Sequence, residues 1–264
     1  EYTRTSTKLI GGKPVVSVSN VSQPTMTVYA PKGTNTGAAV VVFPGGGFEF
    51  LAMDLEGTDA CDWLTSRGIT CVLLKYRVPS LPYVLQCDCR PHNLSLSTPS
   101  LQDAQRTMRL VRFHAAQWHV DPHKIGVLGF SAGGFLVAEI STNFDRQLYA
   151  PMDAVDKESV RPDFAMLIYP GHLATDDDNF NPNLPVTRNV PPTFLVQAED
   201  DYTDGVHQSL VYYAALAKAH VPAEMHLFAH GGHAFGLRPT KMPITDWPAL
   251  ADTWLRTNGM ITTE

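Results

Sequence analysis

A serine at position 131 lies between two glycines in the sequence Gly-Phe-Ser-Ala-Gly, residues 129–133. A serine at a sharp strand-to-helix turn has strained backbone geometry, and glycines two residues before and after it remove side chains that would collide. The pentapeptide alone is a weak signal, because glycine and serine are common in ordinary turns. Its context strengthens it, since residues 124–128 predict a strand and residues 133–142 a helix. Ser131 is therefore a candidate nucleophile.

A base for this nucleophile is expected in a loop that follows a later strand. Among the ten histidines, His230 and His233 lie in the glycine-rich sequence Ala-His-Gly-Gly-His-Ala-Phe, directly after a predicted strand at 223–228. Two glycines precede His233 and let the loop bend its ring toward Ser131. We therefore predict His233 as the general base and His230 as a residue without a catalytic role.

An acid that orients the histidine is expected after another strand. The predicted strand 193–197 is followed by three consecutive acids, which end in Asp201. Only one of them can orient the histidine, and we predict Asp201 with Asp200 as the alternative. Glu199 and the nearby Asp204 are interpreted as loop and cap residues.

Backbone donors for an oxyanion are also expected near the serine. The helix that begins after Ser131 directs N–H groups toward it, which makes the Ala132 N–H one donor. The sequence Pro-Gly-Gly-Gly-Phe follows a predicted buried strand at 38–43, and we assign the other donors to Gly46 and Gly47. A glycine triplet can also be a flexible turn, or a weak phosphate loop without the Lys-Ser/Thr of a nucleotide site. Together with the elbow, an oxyanion hole is the better interpretation.

The chain order Ser131, Asp201, His233 is the order expected of an α/β-hydrolase triad. In this scheme His233 removes the serine proton, Asp201 holds the histidine tautomer, and the serine attacks an ester carbonyl. Water then releases the acid from the acyl-enzyme, so the chemistry requires no metal or organic cofactor.

Alternating strands and helices must position these residues. They predict one α/β domain over residues 1–264, with a mostly parallel sheet covered by helices and a ligand site at the carboxyl ends of the strands. The predicted strands are 15–21, 25–30, 38–43, 70–75, 124–128, 164–169, 193–197 and 223–228; the predicted helices are 57–67, 102–118, 133–142 and two near the C-terminus, around 206–217 and 247–254. The irregular stretches 77–100 and 170–192 interrupt this alternation, and Asp176 to Asp178 are interpreted as a solvated turn.

The composition excludes several partners. The chain has 44% hydrophobic residues and a net charge of −6, which argues against nucleic acid or an anionic membrane surface. Apolar runs such as 38–43 are far shorter than the ~20 residues that cross a bilayer, so the expected protein is soluble. The chain carries no secretory signal but begins at Glu1, which leaves both export after leader removal and a cytoplasmic location open. The oligomeric state is left open.

Four cysteines do not fix the compartment. Cys61 and Cys71 are interpreted as small buried hydrophobes in a helix and a strand. Cys87 and Cys89 fall in a loop, where a disulfide or free thiols are the better interpretation. Together with His92 they lack a fourth ligand, so no metal site is predicted.

From about residue 25 to 258 the chain resembles α/β-hydrolases of the esterase/lipase group, especially bacterial acetylxylan-esterase-like and feruloyl-esterase-like carboxylesterases. The matching pieces are Phe-Pro-Gly-Gly-Gly-Phe, Asp-Leu-Glu-Gly at 54–57, Leu-Lys-Tyr-Arg-Val at 74–78, the Leu-Gly-Phe-Ser-Ala-Gly-Gly elbow and Gly-Gly-His-Ala-Phe. The resemblance implies a sheet of about eight strands, deacylation of short esters, and acetylated xylan-derived or other plant-wall sugars as substrates. Pro44 departs from hormone-sensitive-lipase-like esterases, which carry histidine there. Too little chain precedes the glycines for the helical cap of that group, so the site is expected to be open.

Other side chains could line such an open site. Phe48, Phe50 and Tyr202 are candidate wall residues, although aromatic residues in loops often pack onto the core. Arg77 and Glu56 could touch substrate, with a structural ion pair or a surface position as alternatives.

Two rival functions share this fold. A prolyl-oligopeptidase-type peptidase has the same triad order but normally adds a propeller domain, for which these 264 residues have no room. A non-catalytic binding module is the other rival, and the complete triad argues against it.

Overall fold

A seven-stranded sheet forms the centre of the computed structural model, which describes residues 1–78 and 97–261. Numbered in chain order, the strands of the described residues are β1 Tyr2–Ile10, β2 Lys13–Ser19, β3 Thr25–Tyr29, β4 Ala39–Phe43, β5 Phe50–Ala52, β6 Thr70–Lys75, β7 Ile125–Phe130, β8 Ala165–Ile168, β9 Thr193–Ala198 and β10 Ala223–Phe228. The spatial order of the central sheet is β10-β9-β8-β7-β4-β6-β3, and only β3 runs antiparallel to its neighbour. Strands β1, β2 and β5 form a separate antiparallel sheet.

Helices cover both faces of the central sheet. They are α1 Asp59–Ser66, α2 Ser97–Phe113, α3 Ala132–Thr142, α4 His207–Lys218 and α5 Trp247–Thr257. Side chains of α2, α3 and α4 belong to one buried cluster, and those of α1 and α5 to a second one. Alternate residues of β4 point into the two clusters, with Val41 in the first and Val40 and Val42 in the second. This burial on both faces explains the continuous valine-rich pattern of the strand.

The predicted α/β architecture is confirmed, with two differences in its strands. Residues 2–10 form a strand that the sequence did not predict, because β1 is almost entirely exposed and has no apolar alternation. The predicted strand at 15–21 exists as β2, but it pairs with β1 and β5 outside the central sheet. The central sheet therefore has seven strands where about eight were predicted.

Cys61 and Cys71 form a disulfide. This corrects the prediction that they are small buried hydrophobic residues in a helix and a strand. Cys61 in α1 and Cys71 in β6 are both buried, and their Cα atoms lie 5.2 Å apart, within the range that a disulfide bridges. Cys61 lies in the first turn of α1 and Cys71 near the start of β6, and both belong to the same buried cluster. Cys87, Cys89 and His92 lie outside the described residues, as does most of the stretch 77–100. No helix within 1–78 or 97–261 combines the length and apolar character needed to cross a membrane.

One buried arginine helps to attach the hairpin of β1 and β2 to the rest of the chain, in addition to the pairing of β2 with β5. The Arg238 guanidinium donates hydrogen bonds to the backbone carbonyls of Ile10, Lys13 and Pro14 and forms ion pairs at 2.9 Å and 2.8 Å with Asp54 and Asp59. Its side chain is only 5% exposed. Removal of the guanidinium breaks both ion pairs and the hydrogen bonds to these three carbonyls.

The Arg238→Leu variant is therefore expected to lose about 3 kcal/mol of stability, the usual cost of leaving one partner of a buried ion pair alone. Thermal unfolding should begin several degrees lower, and amide hydrogen exchange in residues 2–19 should accelerate. Lys32→Leu is the matched control, because its ion pair with Asp62 is largely exposed and worth under about 1 kcal/mol. Equal stability of the two variants would contradict this account of Arg238.

Candidate active site

Ser131 lies at the turn between β7 and α3 with a φ of 52°, in the left-handed region that side chains rarely adopt. The glycines on either side of it are required by contacts across the turn. A Cβ atom on Gly129 would lie 2.1 Å from the Gly133 carbonyl oxygen, and one on Gly133 would lie 2.0 Å from the Phe43 carbonyl oxygen. These contacts are the collisions that the spacing of the pentapeptide predicts.

The structure brings Ser131, His233 and Asp201 into one hydrogen-bonded line. The distance from Ser131 Oγ to His233 Nε2 is 2.9 Å, and from His233 Nδ1 to Asp201 Oδ2 it is 2.8 Å. The Asp201 side chain is fully buried and that of His233 is 11% exposed. This geometry allows the imidazole to accept the serine proton while the carboxylate holds the opposite ring nitrogen.

Asp201 is held in place by its own loop. Its Oδ1 accepts hydrogen bonds from the backbone N–H groups of Thr203 and Asp204, at 2.9 Å and 3.0 Å. Its Oδ2 accepts a further bond from the Gln197 side-chain amide at 2.9 Å. The carboxylate therefore has little freedom to turn away from His233.

Asp200, the alternative acid, contacts the histidine loop and not the His233 ring. Its Oδ1 accepts hydrogen bonds from the N–H groups of Gly231 and Gly232, and its Oδ2 lies 3.2 Å from Nδ1 of the exposed His230. The two aspartates thus hold the loop and the ring separately. His230 makes no contact with the nucleophile among the described residues.

The charges around His233 favour its protonated form. Burial of the imidazole opposes this form, but the hydrogen bond and charge of Asp201, with the charges of Asp204 and Glu56, outweigh burial and raise the pKa of His233. The ring also packs edge-on against Tyr169, with the ring centroids 4.9 Å apart.

A buried glutamate connects the glycine-rich loop with the histidine loop. Glu56 Oε2 accepts a hydrogen bond from the Gly45 N–H at 2.7 Å, and Oε1 accepts one from the Tyr169 hydroxyl at 2.8 Å. The Tyr169 hydroxyl in turn accepts a bond from the Gly236 N–H at 3.1 Å. Burial raises the pKa of Glu56. Both oxygens of Glu56 therefore accept hydrogen bonds from the protein, and the residue also lines the cleft beside Ser131.

The predicted oxyanion donors lie around the nucleophile. Gly46 and Gly47 line the same cleft as Ser131 and have φ values of 133° and 64°, and Ala132 is the first residue of α3. Within residues 1–78 and 97–261, no protein acceptor engages the N–H groups of these three residues. Three N–H groups without a partner near one hydroxyl are what an oxyanion hole requires, and their assignment to this role stays a prediction.

A cleft of about 900 Å³ opens above Ser131. The β1–β2 hairpin supplies one wall, with Arg4, Ser6 and Val15 among its residues, and Phe50 supplies part of another. Strand β1, which the sequence did not predict, therefore forms part of the wall of the cleft.

Two of the predicted wall residues do not line this cleft. Phe48 is 2% exposed and packs in the core against Tyr76 and Phe135, and its backbone has a φ of 60°. Tyr202 is 81% exposed and points into solvent outside the cleft. Arg77 forms an ion pair with Asp103 at 2.7 Å, which is the structural alternative considered for it.

Sequence reasoning missed two residues of the site. Asp204 was interpreted as a cap residue, but its Oδ2 lies 3.5 Å from Ser131 Oγ and its side chain is 13% exposed. Tyr169 directly follows β8, and its position at a strand end is the signal that could have identified it. The described residues contain no group of three His, Cys, Asp or Glu side chains arranged to hold a metal ion.

Comparison with known proteins relates this geometry to two families. Residues 101–257 match the prolyl oligopeptidase family, and residues 26–168 match the family described as BD-FAE. Each match covers more than half of the chain, and together they include the glycine loop, the elbow, the acid and the histidine. The chain belongs to these two families of α/β-hydrolases.

One curated relative is the acetylxylan esterase of Xylanibacter ruminicola, which is 28% identical in a match that covers 84% of this chain and 45% of the relative. Endo-1,4-beta-xylanase B of Butyrivibrio fibrisolvens is 26% identical over 74% of this chain and 32% of its own length. The chain thus spans less than half the length of these curated relatives.

Solved structures of similar length share the whole fold. The acetyl ester-xyloside bifunctional hydrolase of Caldicellulosiruptor lactoaceticus is 31% identical, with a TM-score of 0.77 over 93% of this chain and 97% of that one. The thermophilic esterase Est2 of Thermogutta terrifontis has a TM-score of 0.73 at 21% identity, over 99% of this chain and 96% of its own.

Proposed function

We propose that this chain is a serine carboxylesterase that removes short acyl groups, with acetylated plant-wall carbohydrates as its substrates. The observation that carries the proposal is the hydrogen-bonded line from Ser131 through His233 to Asp201, which opens onto a cleft. The similarity to an acetylxylan esterase and to an acetyl ester-xyloside hydrolase supports the substrate class.

In the first half of the proposed reaction, Ser131 attacks the ester carbonyl carbon while His233 Nε2 accepts the hydroxyl proton. The carbonyl oxygen becomes an oxyanion that the N–H groups of Gly46, Gly47 and Ala132 stabilise, and each such donor is typically worth about 3 kcal/mol. Asp201 stabilises the imidazolium that forms. His233 then donates its proton to the alcohol oxygen, and the bond between this oxygen and the acyl carbon breaks. The alcohol departs, and the acyl group remains on Ser131.

In the second half, water takes the place of the alcohol. His233 accepts a proton from this water, the hydroxide attacks the acyl-serine, and the same N–H groups stabilise the second oxyanion. The carboxylic acid leaves and Ser131 recovers its proton. Every step uses side chains and backbone groups of this chain together with water.

Acetate release from acetylated xylooligosaccharides tests the proposed function directly. The wild-type chain is expected to release acetate in proportion to enzyme concentration, and Ser131→Ala is expected to release none above the rate of buffer. If the wild-type chain hydrolyses neither these oligosaccharides nor p-nitrophenyl acetate, the non-catalytic binding module becomes the better explanation.

A peptidase is the second candidate function, because residues 101–257 match the prolyl oligopeptidase family. Proline-containing peptide p-nitroanilides separate it from an esterase. Turnover of the anilides at a higher kcat/KM than the acetyl esters would favour the peptidase, whereas the esterase proposal expects much faster turnover of the acetyl esters.

The pH profile of ester hydrolysis follows from the charges around the histidine. His233 must be neutral to accept the serine proton, and Asp201, Asp204 and Glu56 raise its pKa. We expect kcat/KM for p-nitrophenyl acetate to fall with decreasing pH along a limb whose apparent pKa lies above that of an ordinary histidine. Removing one negative charge lowers this pKa, so Asp204→Asn should move the limb to lower pH.

Glu199→Gln is the matched control for this shift. It removes a negative charge from the same loop but at an exposed position that does not line the cleft. Its acid limb should coincide with that of the wild type. A limb that moves equally in both variants would contradict the assignment of the shift to Asp204.

A further inference from the structure

Asp204 is a carboxyl group beside the nucleophile that has no task in the reaction proposed above. Its Oδ2 lies 3.5 Å from Ser131 Oγ and 3.8 Å from His233 Nε2, and it lines the cleft. Within residues 1–78 and 97–261, these are the only two side chains within hydrogen-bond or ion-pair distance of its carboxylate. Both are engaged in the chemical steps.

The position of this carboxyl group is built into the fold. The Asp204 N–H donates to Asp201 Oδ1 at 3.0 Å, and its carbonyl accepts from the Gln197 side chain at 3.0 Å. The Asp204 carboxylate also packs against Gly171 and has room there only because this residue is glycine. A Cβ atom on residue 171 would lie 2.4 Å from Asp204 Oδ1. The group is therefore held at the nucleophile by the same contacts that hold the acid of the triad.

A carboxylate at this position has a cost for the reaction. Its negative charge opposes the negative charge that develops on the oxyanion, and its Oδ2 competes with His233 Nε2 for the Ser131 proton. The Asp204 side chain is only 13% exposed, so its charged form is poorly solvated, and this burial raises the pKa of Asp204. A hydrogen-bond donor supplied by the substrate would offset this cost once the cleft is filled.

The direction of proton transfer indicates which part of the substrate supplies that donor. His233 Nε2 protonates the alcohol oxygen, so this oxygen must lie within hydrogen-bond distance of Nε2. Asp204 Oδ2 is 3.8 Å from the same nitrogen. This distance is short enough for a hydroxyl on the carbon next to the alcohol carbon to reach Asp204 Oδ2 when the hydroxyl is directed toward that side of the cleft.

We propose that Asp204 is a substrate-binding residue that accepts a hydrogen bond from a hydroxyl next to the ester, so that the cleft selects monoesters of vicinal diols such as partly acetylated sugars. This inference rests on the proposed esterase function. It assigns the preference for hydroxyl-bearing alcohols to one side chain, because a hydrogen bond to a charged acceptor discriminates strongly against an analogue that lacks the donor.

Two esters that differ in a single hydroxyl test the proposal: trans-2-hydroxycyclohexyl acetate and cyclohexyl acetate. The wild type should favour the hydroxy ester about tenfold or more in kcat/KM, as expected of one charge-assisted hydrogen bond. Asp204→Leu removes the acceptor and should reduce this ratio to less than about twofold. Asp204→Asn keeps a neutral acceptor and should give an intermediate ratio, which provides the test if the leucine variant does not fold.

Glu199→Gln serves again as the control, and it should keep the wild-type ratio. A wild-type ratio near one, or a ratio that both Asp204 variants preserve, would overturn the role of Asp204 while leaving the esterase proposal intact. If the wild type hydrolyses neither ester in a Ser131-dependent manner, both proposals fail.

Discussion

Replacing Ser131 with alanine is expected to lower kcat for p-nitrophenyl acetate by about 10⁶-fold, the loss typical of removing the nucleophile of a triad. The alanine keeps the turn and the neighbouring packing, because the side chain is small and residues around it are held by β7 and α3. The measurement is a progress curve at high enzyme concentration, with background hydrolysis subtracted.

Two further observations make this result specific. The variant should unfold at nearly the same temperature as the wild type, so that loss of activity is not loss of fold. Substrate binding should persist, because the cleft walls are unchanged. A variant that keeps more than about a hundredth of the wild-type rate would contradict a covalent role for Ser131.

Replacing Asp201 with asparagine should lower kcat by about 10⁴-fold, because an amide stabilises the wrong histidine tautomer and carries no charge for the imidazolium. The effect is expected because Asp201 Oδ2 lies 2.8 Å from His233 Nδ1, and the amide NH₂ would face a ring nitrogen that must itself donate. The measurement is kcat for p-nitrophenyl acetate, with thermal unfolding recorded in parallel.

The neighbouring Asp200→Asn variant is the matched control for this loss. Asp200 accepts hydrogen bonds from the Gly231 and Gly232 N–H groups and does not contact the His233 ring. An amide oxygen can keep at least one of those bonds, so kcat should fall by less than about tenfold. The reverse order of the two losses would mean that the acid of the site has been misassigned.

Much of the site could be predicted from the sequence because its chemistry leaves local patterns. The elbow around Ser131 needs glycines at fixed offsets, and the glycine loop and the histidine loop each follow a strand with a clear apolar pattern. The alternation of strands and helices then places the carboxyl ends of the parallel strands at one edge of the sheet. These are short-range signals.

The remaining features depend on contacts between distant parts of the chain. Asp200 was an alternative for the acid and Asp204 resembled a cap residue, and only the folded loop shows which carboxylate meets the histidine and which meets the nucleophile. Strand β1 has no apolar face, so pattern analysis could not detect it. Arg238 contacts residues more than 220 positions away in the sequence at Pro14 and Lys13.

Covalent labelling with paraoxon tests the central claim most directly, because this organophosphate reacts with a serine only when a base activates it. The account predicts one diethylphosphoryl group per chain, located on the peptide that contains Ser131, and its disappearance in the His233→Ala variant. Absence of labelling in the wild type, or a label on another residue with Ser131 unmodified, would contradict it.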